Sequence, residues 1–384
     1  MNRHLLLLVI LIRMYICTAQ THMLIPYRES DLWGFADRSM RVVIPPQYDL
    51  VQPFYDHLAA VKKDGKMGYI DTSGNAAVPL IYDRAGNFVN GFALVESSKK
   101  WGILNKRGEE ITPLKYDGIG QFYEDMAIIV LKNKWGYIDK FGREVVPPIY
   151  DEASRFSNGL AAVAKNEKWG FINAKGEEVI PLQYEIVADF NEGLAAARQD
   201  GRWGFIDLKG RVVVPFKYSG VSTFSEGLAA ARYNGKVGFI TRTGAHAVPF
   251  KYDGANSFSE GKAVVQIDQL FGFINTKGKL ITPLKYQVAF DFSEGRAIVV
   301  LGTPALLDES GEETPLYFDR VRNFKEGLAA VEKNGLWGYI NKEGDLVIPL
   351  KYAEADNFLE GIAVVNHKGK YGYIDKQGRE FFKD

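Results

Sequence analysis

Hydrophobic and polar positions alternate along this chain in short bursts. Leu228 to Arg232, Val237 to Thr241 and Ala247 to Tyr252 are three such bursts in succession. Each is too short for a helix and rich in Val, Ile and aromatic residues, which predicts strands. The gaps carry turn chemistry. The first is often Asp-Gly or Asn-Gly, as at Asp64-Gly65, Asp200-Gly201, Asn234-Gly235 and Asn334-Gly335. That pair favours a tight hairpin, whose two central residues both take positive φ. The second gap reads Asp/Asn-x-x-Gly, as at Asp71 to Gly74, Asp139 to Gly142, Asn173 to Gly176 and Asp375 to Gly378. There the Asp or Asn caps the turn and the Gly accepts a left-handed backbone. The pattern predicts an antiparallel three-stranded meander.

The meander repeats. A glycine follows a large apolar residue at Gly34, Gly68, Gly102, Gly136, Gly170, Gly204, Gly238 and Gly272, each 34 residues after the last, and again at Gly338 and Gly372. A proline marches in step from Pro45 to Pro349, an aromatic follows it by three residues, and a Phe comes six later, from Phe54 to Phe358. Ten full copies and a truncated eleventh fill residues 20–384. One copy is degenerate: near 302–318 Pro304-Ala305 replaces the usual pair, and the unit is two residues short.

Proline has no N–H for a ladder, so a proline in every third strand places that strand at a sheet edge and predicts separate small sheets. One meander cannot bury its apolar face alone, so neighbours stack to make the core. Propeller blades carry four strands in about 40–50 residues and close in rings of about 4–8. About eleven three-stranded units therefore predict an all-β, open superhelical solenoid, with a closed β-propeller-like ring as the alternative.

The pair itself is Trp-Gly at Trp33-Gly34, Trp101-Gly102, Trp135-Gly136, Trp169-Gly170, Trp203-Gly204 and Trp337-Gly338. On these residues the chain resembles the WG-repeat family of bacterial proteins. The resemblance covers essentially everything after the leader. It implies a β-rich array, often exported, and brings no catalytic set with it. Met67, Val237, Phe271 and Tyr371 depart from the motif at the Trp position.

Composition narrows the function. The chain is 46% hydrophobic and 13% aromatic, too apolar for disorder. Basic and acidic residues balance at 47 each, which argues against a general nucleic-acid role. A single cysteine excludes a disulfide framework and a multi-cysteine zinc site. Leu5 to Ile12 is an apolar run too short to span a bilayer, and Cys17-Thr18-Ala19 offers small residues for a peptidase. Residues 1–19 therefore read as a signal peptide, the mature chain starts at Gln20, and the protein is exported. No later stretch is long and apolar enough for a membrane helix.

Candidate chemistry is sparse. The Trp row suggests a sugar-stacking site, but Met, Val and Phe at the same position favour core packing. The Asp/Asn series suggests calcium, but one carboxylate per turn favours capping. Lys66, Lys100, Lys134, Lys168, Arg202, Lys236 and Lys370 precede the Trp position and form a possible ligand stripe for an acidic glycan or other polyanion. Glu192, Glu226, Glu260, Glu294, Glu326 and Glu360 recur before glycine and offset that charge, favouring a solvated, balanced surface. His57, His246 and His367 have no metal-ligand spacing. No phosphate loop, nucleophile elbow or zinc-protease motif occurs. The expectation is a non-catalytic exported interaction protein without cofactor or metal, binding a protein or envelope polymer. Its rivals are a glycan-binding module and an envelope hydrolase. The degenerate unit, with a proline in a strand, is expected to have a tighter or frayed first hairpin, to stack less well than its neighbours and to act as a hinge near 301–315.

Overall fold

The computed structural model describes residues 24–383. The expected leader and its cleavage point before Gln20 lie outside them. The described chain is all-β, as expected, and is built of tandem small antiparallel sheets.

One repeat shows the rule. Leu160–Lys165 pairs with Lys168–Asn173 in unbroken register, Leu160 opposite Asn173 and Lys165 opposite Lys168. Lys168–Asn173 then pairs with Glu178–Tyr184, the strand that carries Pro181. That strand lies at the sheet edge, where a residue without an N–H costs no ladder bond. The hairpin turns take the expected form: Asn234 and Gly235 sit at φ 49° and 81°, and Asp200 and Gly201 at 49° and 71°. The Asp-x-x-Gly turns are capped by their own first residue; Asp71 Oδ1 accepts the N–H groups of Ser73 and Asn75, both at 2.9 Å.

The three-strand expectation is corrected. Most sheets have a fourth strand of only two residues, such as Glu152–Ala153, which pairs with Leu160–Lys165. It lies just after the aromatic that ends the preceding proline strand. Asp151 N–H donates to the Ala164 carbonyl at 2.8 Å, so the chain passes from one sheet into the next within one residue of Tyr150. A two-residue strand has no room for alternation, and the sequence pattern cannot show it.

Residues 24–114 and 370–383 form one compact unit, and residues 115–369 form another. In the smaller unit Ile25–Glu29 takes its fourth-strand partner from the other end of the chain. Phe382–Lys383 runs parallel beside it, Arg28 opposite Phe382 and Glu29 opposite Lys383. Arg28 Nε donates to the Tyr371 carbonyl at 2.9 Å, and Lys370 pairs with Asp31 at 2.7 Å. The open superhelical solenoid is thereby corrected, because an open array leaves its first and last sheets free. An end-to-end strand pair belongs to the closed, propeller-like alternative, in which the truncated eleventh copy completes the first sheet.

In the larger unit the joints between consecutive sheets are aromatic. A second-strand ring of one repeat meets the Phe of the next: Tyr137 on Phe156 at 5.0 Å, Phe171 on Phe190 at 4.7 Å, Phe239 on Phe258 at 4.7 Å. These rings are almost fully buried, and such pairs add to the stability their area already gives.

The degenerate unit lies inside the larger unit, and its first hairpin takes the tighter of the two expected forms, with one turn residue where regular units have two. Arg296–Leu301 pairs with Thr303–Asp308 through all six residues around Gly302. Leu306 and Leu307 are buried at 2% and 0% exposure. Hydrogen exchange at these two amides is expected to be as slow as at Phe239 and Ile240. Fast exchange there would restore the hinge.

Candidate functional site

The glycine of each Trp-Gly pair admits a neighbouring backbone. Trp169 is paired with Tyr184 and Phe171 with Ile180, so two steps on one strand face four on the other. The proline strand therefore bulges over Gly170. A Cβ on Gly170 would lie 2.4 Å from the Ile180 carbonyl oxygen and 2.7 Å from the Pro181 carbonyl carbon. The degenerate unit shows the converse. Ala305 replaces the glycine, and its partner strand pairs straight, Ala305 with Pro315, Leu306 with Thr314 and Leu307 with Glu313. A methyl group at this position forbids the bulge, and loss of the bulge accounts for one of the two missing residues. The other is missing from the first hairpin, where Gly302 alone separates Leu301 from Thr303 and two residues separate Lys165 from Lys168.

The Trp side chains occupy the joints. Trp33, Trp101, Trp135, Trp169 and Trp203 are half-buried, and Trp337 is buried. Trp135, Trp169 and Trp203 pack toward the two-residue strand of the next sheet: Trp135 shares a core cluster with Ala153, Trp169 with Val187, and Trp203 with Val221. This is the core role expected from the substitutions at that position.

The basic stripe is largely neutralised. Lys66 pairs with Asp83 at 2.5 Å, Lys236 with Asp253 at 2.6 Å, Lys134 with Asp151, and Lys370 with Asp31. Lys100 also has a partner. Among the described residues no ion pair involves Lys168 or Arg202. The aspartates after the repeated Tyr are residues that sequence reasoning passed over. One oxygen of Asp253 takes Lys236, and the other accepts the Asp268 N–H at 2.9 Å. The Lys236 ammonium and the Asp268 N–H hold the Asp253 carboxyl below its ordinary range.

The glutamates before glycine are not a solvated counter-stripe. Each sits at positive φ, from Glu192 at 50° to Glu294 at 55°, where only the following glycine is at ease. From Glu192 to Glu326, each carboxylate caps the same turn one repeat further on. Glu260 accepts the N–H of Glu294 at 2.7 Å and of Gly295 at 2.8 Å. Glu294 does the same for Glu326 and Gly327, and Glu326 for Glu360 and Gly361. The preceding serines add a second clip, Ser225 Oγ donating to the Phe258 carbonyl at 2.8 Å and Ser259 Oγ to Phe292 at 3.0 Å. A glutamate recurring at a left-handed turn position was the available signal, since only a used carboxylate offsets that strain.

Electrostatics follow the same pattern. Every shifted carboxyl is shifted down, as at Glu144, where Lys115 and Tyr116 donate to it. Tyr116 in turn is pushed up to about 12 by burial and by Glu144. Such groups keep fixed charge states near neutral pH and are not poised for proton transfer.

One concavity stands out, and it lies at the degenerate unit. A cleft of about 430 Å³ opens between that sheet and the next. Val288, Phe290, Ile298, Val300 and Pro304 form one wall; Asp319, Arg320, Val321, Arg322 and Trp337 form the other. Elsewhere a bulky side chain at the Trp position fills this joint, as Phe271 does beside Ala289. The cleft is the space an indole leaves when proline replaces it. On its far wall the guanidinium groups of Arg320 and Arg322 lie 5.1 and 4.8 Å from the Trp337 ring.

The sequence profile of the WG-containing repeat matches ten segments: 33–66, 67–101, 101–135, 135–169, 169–203, 203–236, 238–270, 271–302, 314–337 and 337–371. No curated protein matches the chain. Among solved structures, a eukaryotic initiation factor is similar at 10% identity over 94% of this chain and 95% of that one, with a TM-score of 0.47. Hsv2p of Kluyveromyces lactis is similar at 11% identity over 57% and 89%, TM-score 0.34. Virginiamycin B lyase from Staphylococcus aureus is similar at 14% identity over 60% and 92%, TM-score 0.28.

Proposed function

The chain belongs to the family of proteins built from the WG-containing repeat, and from that premise we propose that it is a non-catalytic interaction protein that acts after export. Its repeat surface binds a protein or an envelope polymer. The observation that carries this reading is the use to which its polar groups are put. The repeated Asp, Asn, Glu and Ser side chains are spent on turns and on clips between sheets, as at Asp71, Glu260 and Ser225. What varies from repeat to repeat is the outer surface, and repeat arrays bind through such surfaces. The polyanion reading of the basic stripe is the weaker one, because most of its cations already have carboxylate partners.

The tagged mature protein, passed over the envelope fraction of its own cell, is expected to retain a specific partner in a salt-resistant way. Retention of nothing beyond what an unrelated β protein retains would overturn the reading. Export has its own test. The intact mass of the secreted or periplasmic protein is expected to correspond to a chain beginning at Gln20, and exported material that still carries Met1 would refute the leader.

A further inference from the structure

The cleft beside the degenerate unit lacks two things that its counterparts possess. Regular units place a basic residue and a tryptophan in succession, such as Lys134-Trp135 and Lys168-Trp169; here the same positions hold Thr303-Pro304. Replacing Trp by Pro empties the joint. Replacing Lys by Thr removes the ammonium that elsewhere pairs with the aspartate 17 residues on, as Lys236 pairs with Asp253.

That aspartate is Asp319, on the cleft wall. Its Oδ2 accepts the Asn334 N–H at 2.8 Å, as its counterparts do in other repeats. Among the described residues no cation pairs with it. The two arginines nearby do not compensate it. Arg320 is paired with the buried Glu332 at 2.5 Å, and Arg322 with Asp356 at 3.2 Å. The cleft therefore has apolar walls, a Trp337 ring backed by guanidinium planes, and one uncompensated negative charge at its exposed rim. Its volume of about 430 Å³ is in the range of sites for a small ligand or one anchoring side chain.

We propose that this cleft binds an aromatic ring carried beside a cationic group, as presented by a Lys-Trp or Arg-Trp step of a partner polypeptide. The ring enters where the repeat's own indole is missing, against Val300, Pro304 and Trp337. The cation reaches Asp319 Oδ1, the oxygen that the missing lysine leaves open. The inference rests on the interaction reading above and gives its partner a chemistry. Aromatic anchors in desolvated pockets dominate interfaces of this kind.

The test titrates N-acetyl-Lys-Trp-amide into the intact mature protein and follows the methyl resonances of Val288, Ile298 and Val300. Saturable shifts are expected. N-acetyl-Lys-Leu-amide should bind at least tenfold more weakly, and N-acetyl-Glu-Trp-amide several-fold more weakly, with a gap that narrows in high salt. Pro304→Trp, which restores the internal indole, should abolish the shifts. Val288→Arg, at a rim position 40% exposed, blocks the same space without touching the core. Asp319→Asn keeps the turn acceptor and should erase the preference for Lys over Glu. Equal binding of the Lys-Trp and Glu-Trp probes would overturn the proposal, as would binding that both blocking variants leave intact. Free indole binding as tightly as the Lys-Trp probe would overturn the polypeptide source. Failure here leaves envelope capture by the repeat surface unaffected, whereas absence of any envelope partner while the probe still binds would overturn the interaction reading alone.

Discussion

Gly170→Val is expected to lower the urea midpoint of unfolding by about 0.3–1 M, from a loss of about 1–3 kcal/mol at an m of roughly 3 kcal/mol/M. The cause is steric and lies in the backbone. The added Cβ would meet the Ile180 carbonyl oxygen at 2.4 Å and the Pro181 carbonyl at 2.7 Å, and neither can rotate away as a side chain could. Relief requires the proline strand to abandon its bulge, and with it the pairing of Trp169 with Tyr184. Tyr184 is buried at 2% exposure in the joint with Phe190, so the loss spreads into the core. Gly102 is an internal control. There the nearest atom to a Cβ is the Thr112 carbonyl oxygen at 3.0 Å, because Thr112 Oγ1 takes the Ile103 N–H and the strand stands further off. Gly102→Ala should therefore cost clearly less than Gly170→Ala. Equal midpoints for Gly170→Val and the parent protein, measured by circular dichroism in urea, would show that the close approach is not a packing requirement.

The same glycine shows how far the sequence could be read. Its recurrence beside a large apolar residue, with a proline eleven residues later, is enough to predict close packing at an edge strand, and the bulge over Gly170 is its physical form. The tight Asp-Gly and Asn-Gly hairpins and the Asp-capped turns were legible for a related reason. Their chemistry is local, and the residue that acts lies within four positions of the one acted on. The partners of longer-range groups were not legible. Glu260 caps a turn 35 residues away, and Asp253 joins Lys236 to Asp268. A period of 34 puts such partners in register, but it does not say which way a side chain reaches. The closing pair of Arg28 with Phe382 was hidden more deeply, since two residues at the end of a truncated copy carry no pattern. Of the tight and frayed hairpins that a proline in this strand allowed, the structure shows the tight one. Pro304 offers its carbonyl to the Leu316 N–H at 2.9 Å and sits where the missing N–H leaves the hairpin register whole. The substitution altered the joint instead, and the cleft is the result.

Glu294→Ala should destabilise the larger unit by about 1–2 kcal/mol, the range for hydrogen bonds to a charged group discounted for the water that still reaches the side chain. The carboxylate accepts the Glu326 N–H at 2.6 Å and the Gly327 N–H at 2.7 Å, and Lys342 lies 3.3 Å from it. Without it Glu326 stays at φ 52° with its turn uncapped. Burial alone would raise the Glu294 carboxyl, but the Gly327 N–H, the Lys342 ammonium and the Glu326 N–H together hold it below its ordinary value of 4.5. A carboxyl lowered on folding contributes fully above its unfolded value and loses that contribution as pH falls through the folded one. The difference between parent and Glu294→Ala should thus be constant near neutral pH and shrink in acid, below about pH 4.5. Glu294→Gln keeps one acceptor oxygen without the charge and should fall between the two, with little of the parent's acid dependence at this site. Urea unfolding of the three proteins from pH 7 to pH 3 measures all of this. A parent–variant difference that persists undiminished at the acid end would mean that the clip between repeats does not depend on the ionised carboxylate.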